Sequence, residues 1–353
     1  MPEKLIDWTG QMLYAGIDLH KSKWVITVRT LDTILKTFVC PPEKEVLLKS
    51  FQHQWPGAKI EAVYEAGCFG YTIAEYLNVN GVKTIITAPH NIPVAPGKFV
   101  KTDTIDSRKL AFELAKGSLT GIYQRNVDEL YDRSLVRKRQ QLVKRRVQIH
   151  NQIKGDLLFY GMTSVALNKK YWSKKTLADL KKINEGPISF RAAFKLVVEE
   201  YEFVRAQIRD IEALLTEIMA SEKYQPKIER LCTIPGIGRL TAVTILLEIG
   251  DINRFASTEK FASYLGLTPS EYSSGETTRI GSLTGMGNSA LRRLIVEATW
   301  VAIKTDPVLL SKYQRMSVGK PKCKAIVAVA KNLANRIRRV LKYDEPYVIG
   351  VVR

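Results

Sequence analysis

Between residues 13 and 39 the apolar positions fall into three short runs, LYAGIDL, WVITVRT and ILKTFVC, separated by polar turns. Alternating or continuous apolar runs of this length predict strands, and connections this short predict an antiparallel meander. The next segment, PPEKEVLLKSFQHQW, opens on proline and spaces its apolar residues by three and four, so it predicts a helix. KIEAVYEA then predicts a fourth strand, a helical stretch follows, and KTIITAP predicts a fifth strand before the helical pattern of KTDTIDSRKLAFELAKG. The order β-β-β-α-β-α-β-α implies a mixed sheet with helices packed on its faces.

The middle of the chain follows a different period. Residues 128–160 and 187–220 predict two long helices, the second carrying Phe190, Phe194, Val197, Tyr201, Val204, Ile208, Ile211, Leu215 and Ile218. Their spacing alternates between four and three, the pattern of a coiled-coil seam. Such a stripe needs a partner, either the first long helix or another subunit; a core helix of a larger bundle is the alternative. The connecting NKKYWSKKTLADLKKINEGP is polar and basic and reads as a loop. After residue 223, LCTIPGIGRLTAVTILLEIG predicts helix, turn, helix; FASYLGLTPSEYSSGETTRIGSLTGMGN is rich in Ser, Thr and Gly; the tail returns to basic helices. The expected class is α/β plus α, with a mixed-sheet domain over 12–120, a long-helix coiled-coil region over 125–222 and a mainly helical domain over 223–345.

Charge narrows the partners. Among 353 residues, Lys and Arg number 54 against 35 Asp and Glu, a formal charge of +19. That balance favours a polyanion, nucleic acid ahead of an anionic membrane. The apolar stretches fall short of the roughly 20 residues that span a bilayer, and MPEKLIDWTG lacks a signal-peptide pattern, so a soluble cytoplasmic protein is expected. Cys40, Cys68, Cys232 and Cys323 are dispersed, and neither they nor the four histidines have zinc-site spacing. No G-x-x-x-x-G-K-[ST] loop is present, so no nucleotide cofactor is expected.

Two regions concentrate the positive charge. Residues 133–154 hold eight Lys/Arg, among them Arg137, Lys138, Arg139, Lys144, Arg145 and Arg146, and no acidic residue. Residues 279–353 hold 15 basic and four acidic residues, with Arg279, Arg292 and Arg293 at the start. Runs of this kind usually mark solvated helix faces, but two of them imply a large counterion-release contribution to nucleic-acid binding. IPGIG, with Gly236 and Gly238 between two helices, fits a helix-hairpin-helix turn whose backbone N–H groups bind phosphate, and fits a simple interhelical turn equally well.

The acidic residues supply candidate chemistry. Asp18 ends the first strand, Glu65 ends the fourth, and Asp103 and Asp106 sit three apart at the start of a helix, on one face. Four carboxylates could converge on hard divalent ions, and two such ions stabilise both the attacking and the leaving oxygen of a phosphodiester exchange. Each residue also has a plainer role: a turn cap, a solvated strand end, a favourable charge at a helix N-terminus. Farther on, Ser273 and Ser274 precede Gly275 and are followed by Arg279, Arg292 and Arg293. The arginines could neutralise a phosphodiester, but no evident base is supplied, the nearest histidine in sequence being His150; a surface turn is the plain reading.

The GIDLHKSKWVITV block, the YEAG strand end and KTDTIDSRKLA resemble the RuvC-like, DEDD-type domain of insertion-sequence family one hundred and ten transposases and Piv-type DNA invertases. The resemblance implies an RNase H-like fold for the first domain and an acidic tetrad at Asp18, Glu65, Asp103 and Asp106 that holds Mg²⁺, with Mn²⁺ as the alternative. It also implies a catalytic serine in the C-terminal domain, following Pro269 and preceding Gly275, which falls on Ser274 with Ser273 as the alternative. Family members often place a lysine where this chain has Thr284-Gly285, so a phosphate contact there is missing or comes from Arg279. The family's partners are donor and target DNA and a structured bridge RNA that chooses both, and its assemblies are dimers or tetramers in a bacterial or archaeal cytoplasm. A junction-resolving nuclease that activates water, and a non-catalytic nucleic-acid-bridging protein, are the competing readings.

Overall fold

The computed structural model describes residues 7–93, 102–162, 165–169, 172–274 and 277–350, with backbone alone for 165, 272–274 and 277–280. The chain forms two compact units, residues 1–125 and 126–353.

In the first unit the elements run β1 (Met12–Leu19), β2 (Trp24–Arg29), β3 (Ile34–Cys40), α1 (Lys44–Gln54), β4 (Lys59–Glu65), α2 (Thr72–Val79), β5 (Lys83–Thr87) and α3 (Asp103–Ala115). This is the expected order. The strands form one mixed sheet in the order β3-β2-β1-β4-β5, antiparallel through β3, β2 and β1 and parallel through β1, β4 and β5. Alternation divides the sheet into two faces. Leu13, Ala15, Ile17, Ile26, Ala62 and Tyr64 pack with Leu47, Phe51, Ile73 and Leu77 from α1 and α2. Val63 on the opposite face packs with Leu110 and Leu114 of α3, together with Tyr14 and Ile85.

The second unit begins with α4 (Val127–Phe159), whose N-cap Asn126 accepts a hydrogen bond from the Asp128 amide, and continues to α7 (Ile188–Ala220). Both long helices lie within a residue of their expected limits. They pair with each other: Ile149, Ile153 and Leu157 of α4 are buried with Phe194, Val198, Tyr201, Val204 and Ile208 of α7. Full burial of each such side chain contributes about 1.5–3 kcal/mol. Val198 and Met219 take buried positions beside the expected Val197 and Ile218, which stay half-buried. A strict 3.5-residue stripe drifts around a 3.6-residue helix by about 20° per heptad, which explains the one-residue shift.

The connection between these helices departs from the expected loop. After the single turn α5 (Val165–Asn168), α6 (Lys174–Lys181) starts at Ser173, whose hydroxyl accepts from the Thr176 amide, and buries Leu177 and Leu180. Trp172 is buried too, donating from Nε1 to the Ala166 carbonyl at 3.0 Å, with its ring centroid 4.2 Å from that of a tilted His150. The lysines there occupy the outer face of an amphipathic helix that caps the long pair. Charge masked a three-residue apolar anchor.

The remaining elements are α8 (Gln225–Cys232), α9 (Arg239–Ile249), α10 (Thr258–Tyr264), β6 (Pro269–Ser274), β7 (Thr277–Leu283), α11 (Ser289–Ala302), α12 (Pro307–Ser317) and α13 (Lys322–Tyr343). α9 is buried almost all round and α13 along one face, and both lie in a core that also takes Leu215 and Met219 from the root of α7. The Ser/Thr/Gly-rich stretch is an antiparallel hairpin, β6 against β7, where the sequence reading expected no strands. Among the described residues no helix is long and apolar enough to cross a membrane.

Candidate active site

Asp18 and Glu65 meet because β1 and β4 are neighbours in the sheet. The parallel register runs to Ile17 opposite Tyr64, so the next residues, Asp18 and Glu65, stand side by side at the carboxyl edge. Adjacency depends on the crossover through α1, which the sequence does not specify. α3 completes the group from the other side. Thr102 caps it, accepting from the Ile105 amide at 3.3 Å, and Asp103 and Asp106 occupy its first turn. Carboxylates there are favoured by the helix dipole, so local stability and the candidate chemistry draw on the same placement.

One residue absent from the sequence-level candidates sets the approach of α3. A Cβ on Gly16 would lie 2.2 Å from the Ser107 carbonyl oxygen and 2.3 Å from the Ala111 amide nitrogen. α3 therefore rests on β1 backbone, one turn from Asp106 and two residues from Asp18. A buried Thr27–Ser107 hydroxyl contact of 2.9 Å pins the same turn. Glycine inside a strand signals close backbone approach, and YAGIDL carried that signal. Gly16→Ala is expected to push α3 outward and slow strand cleavage about a hundredfold, as misplacement by about 1 Å does. Single-turnover cleavage with unchanged circular dichroism checks this.

Asp18 feels both its burial and the neighbouring carboxylates. Burial raises the Asp18 carboxyl above its ordinary range, and the Asp103, Asp106 and Glu65 carboxylates raise it further, against a smaller lowering by His20. Lys23 pairs with Asp103 at 3.2 Å, a half-exposed contact of little energetic weight. Among the described residues no three His, Cys, Asp or Glu side chains are close enough together to hold a metal ion. The excess negative potential at Asp18 is what a cation would neutralise. Four hard oxygen donors fit Mg²⁺ or Mn²⁺ in type.

The serine candidates lie in the second unit. Ser273 and Ser274 end β6, opposite Thr278 and Thr277, and Arg279 stands in β7 opposite Tyr272; their side chains, and Gly275, lie outside the described residues. The hairpin base is firmly seated. Thr284 N–H donates to the Thr268 carbonyl at 3.1 Å, Asn288 N–H donates to the Tyr264 carbonyl at 2.7 Å, and the Asn288 side chain donates to Glu248 at 3.0 Å.

Glu248 is nearly inaccessible, yet it also accepts from Arg133 at 2.8 Å and from Arg137 at 2.9 Å. The expected nucleic-acid face of α4 is correspondingly reduced. Arg137 is committed to Glu248, Arg139 pairs with Glu212 at 2.6 Å, and Arg145 pairs with Glu200 at 2.5 Å. Lys138 and Lys144 are exposed, and they and the half-buried Arg146 have no ion-pair partner among the described residues. Arg292 donates to the Gly266 carbonyl at 3.2 Å, while Arg293 is exposed.

In the IPGIG turn Gly236 has φ +85°, and a Cβ there would lie 2.3 Å from the Ala298 carbonyl oxygen, so this glycine faces α11. Gly238 is exposed at the N-cap of α9 with open space around it. Of the two glycines, only Gly238 has the surroundings a phosphate contact needs.

Residues 15–162 match the DEDD transposase domain of IS110 elements, and residues 228–314 match the model described as transposase IS116/IS110/IS902 family. Putative transposase y4qE of Sinorhizobium fredii is 29% identical over 306 residues, 78% of this chain and 75% of that protein. The transposase for insertion sequence element IS1111A of Coxiella burnetii is 25% identical over 76% of this chain and 74% of its own. A probable family 20 transposase of Pseudomonas aeruginosa, at 23% identity, spans 92% of this chain and 94% of its own.

Proposed function

We propose that the chain, whose residues 15–162 and 228–314 match transposase models of the IS110 type, is a transposase that cuts and rejoins insertion-sequence DNA through a serine-linked intermediate. The observation that supports the reading is that the β1–β4 register sets Asp18 beside Glu65, while Asp103 and Asp106 occupy the first turn of the helix packed on β1. These residues would hold Mg²⁺, which when bound supplies positive charge to the non-bridging oxygens of the scissile phosphodiester.

The Ser274 hydroxyl attacks phosphorus, forming an Oγ–P bond as one deoxyribose oxygen leaves and takes up a proton. The serine proton passes to a base, which is not a histidine of the β6–β7 hairpin, since that segment contains none. A hydroxyl of the partner strand later reverses the step, reforming a phosphodiester and freeing the serine. One ester replaces another, so no nucleotide is consumed. Exposed Lys138, Lys144 and Arg293 contact backbone phosphates, which position DNA without reading sequence, and sequence choice falls to a bridge RNA. A dimer or tetramer carries out the exchange.

The carboxylates alone would equally serve a nuclease that activates water. Element-end DNA, Mg²⁺ and candidate guide RNA, followed by denaturing gels and mass spectrometry, separate the two. The expected result is a covalent DNA adduct lost with Ser274→Ala and with Asp18→Ala but kept with Ser273→Ala. Metal-dependent cleavage with no adduct would establish the nuclease, and loss with Ser273→Ala alone would move the nucleophile by one residue.

A further inference from the structure

α12 and α13 enclose a cleft that belongs neither to the carboxylate edge nor to the serine hairpin. Two recesses of about 340 and 410 Å³ share Val308 and Asn332 as a common wall. Arg336, Arg339 and Asn335 line the first; Lys312 and Arg315 line the second.

The charges in the cleft do not balance. Asp306, bonded to the lining residues Arg336 and Tyr347, is fully buried and already engaged: it accepts from the Val308 amide at 3.0 Å, the Leu309 amide at 3.2 Å and the Tyr347 hydroxyl, and it pairs with Arg336. Glu345 is exposed at the rim of the first recess. Among the described residues neither carboxylate is within ion-pair distance of Lys312, whose Nζ donates to Asn332 Oδ1 at 2.9 Å. Burial pushes the Lys312 ammonium below its ordinary range, and Arg315, Lys331 and Arg336 push it further. A half-buried cation among three others is costly unless an anion joins them. In the lining of the first recess Asn335 Oδ1 is buried without a hydrogen-bond partner among the described residues. Turning that amide about its last bond presents its NH₂ to an anion.

We propose that the cleft between α12 and α13, through Lys312, Arg315, Arg339 and the Asn335 amide, binds a backbone phosphodiester of nucleic acid. A phosphodiester is singly charged, offers only acceptor oxygens and arrives on a chain that can run out through an open cleft, which suits three cations and an amide donor beside a neutralised Asp306–Arg336 pair. The ligand class rests on the nucleic-acid reading above; the position rests on this cleft alone.

The test is the salt dependence of binding by the full chain to a DNA duplex and to an RNA duplex of equal length, for wild type, Lys312→Gln, Arg315→Gln and the exposed control Lys49→Gln. Neutralising a crowded cation leaves the fold intact, and an unchanged or raised melting temperature verifies this. Loss of one phosphate contact lowers the slope of log K against log salt by about 0.9. That drop in each cleft variant, absent in Lys49→Gln, is expected, and Lys312→Arg should restore the slope. Slopes equal to wild type would overturn the proposal. Inorganic pyrophosphate binding the wild type, with duplex slopes unchanged in the variants, would overturn it in favour of a free-phosphate site. Wild type that binds neither duplex would defeat the nucleic-acid reading and the proposal together.

Discussion

Asp18→Asn is expected to raise the melting temperature of the metal-free protein while cutting strand cleavage about a thousandfold. The two effects have one origin. Burial and three neighbouring carboxylates make the charged Asp18 unfavourable in the folded chain without a cation. An amide of the same shape removes that repulsion. It also removes a charged donor, and metal assistance to phosphodiester exchange contributes several kcal/mol, of which about 4 correspond to a thousandfold. Mg²⁺ should stabilise wild type by mass action and leave the variant nearly unmoved. Thermal melts in chelator and in Mg²⁺, beside single-turnover cleavage, read both effects. A variant melting below wild type in chelator would mean that Asp18 is a structural cap.

Glu248→Ala is expected to cost about 3–5 kcal/mol, because removing one member of a buried ion pair leaves the others uncompensated. For a unit of this size that is a melting-temperature fall of roughly 10 °C. Arg133, mostly buried at 16% side-chain exposure, would lose its carboxylate and Asn288 its acceptor, while Arg137 at 52% recovers water. Arg133→Met in the same chain should restore part of the loss.

The same pair predicts a pH dependence. Burial works to raise the Glu248 carboxyl, but Arg137 and Arg133 outweigh it and hold it below its ordinary value of 4.5. A depressed carboxyl contributes stability that is complete above the unfolded chain's value and is lost as pH falls through the folded one. The stability gap between wild type and Glu248→Ala should therefore be full at neutral pH and shrink on the acid side of 4.5. Urea unfolding at several pH values measures it; a gap that widens in acid would contradict the assignment.

What the sequence made legible follows the range of the interactions. Periodicity is local, so all five strands of the first unit and both long helices could be read from it, and Asp103 and Asp106 could be placed on one helical turn. Glu65 beside Asp18 could not, because strand adjacency is settled by packing of α1 and α2 across the sheet. The arginines of 133–154 looked like a free surface because their partners, Glu200, Glu212 and Glu248, lie 55 to 115 residues away. A hint existed: Glu248 stands alone in the apolar run TAVTILLEIG, and an isolated carboxylate in a buried helix requires a cation. The β6–β7 hairpin was hidden because its strands are built from Ser, Thr and Gly, with backbone pairing in place of an apolar stripe.

The paired α4 and α7 also fix a length. Helix rises about 1.5 Å per residue, so Arg137, anchored on Glu248, and Phe159, 81% exposed at the far end, are separated by ~33 Å along α4. Arg139–Glu212 and Arg145–Glu200 each match in one register only, so the two helices cannot slide past one another to shorten or extend that span. The arm behaves as a ruler. Deleting one heptad from each helix should subtract about 10 Å from its reach while leaving both ends chemically unchanged.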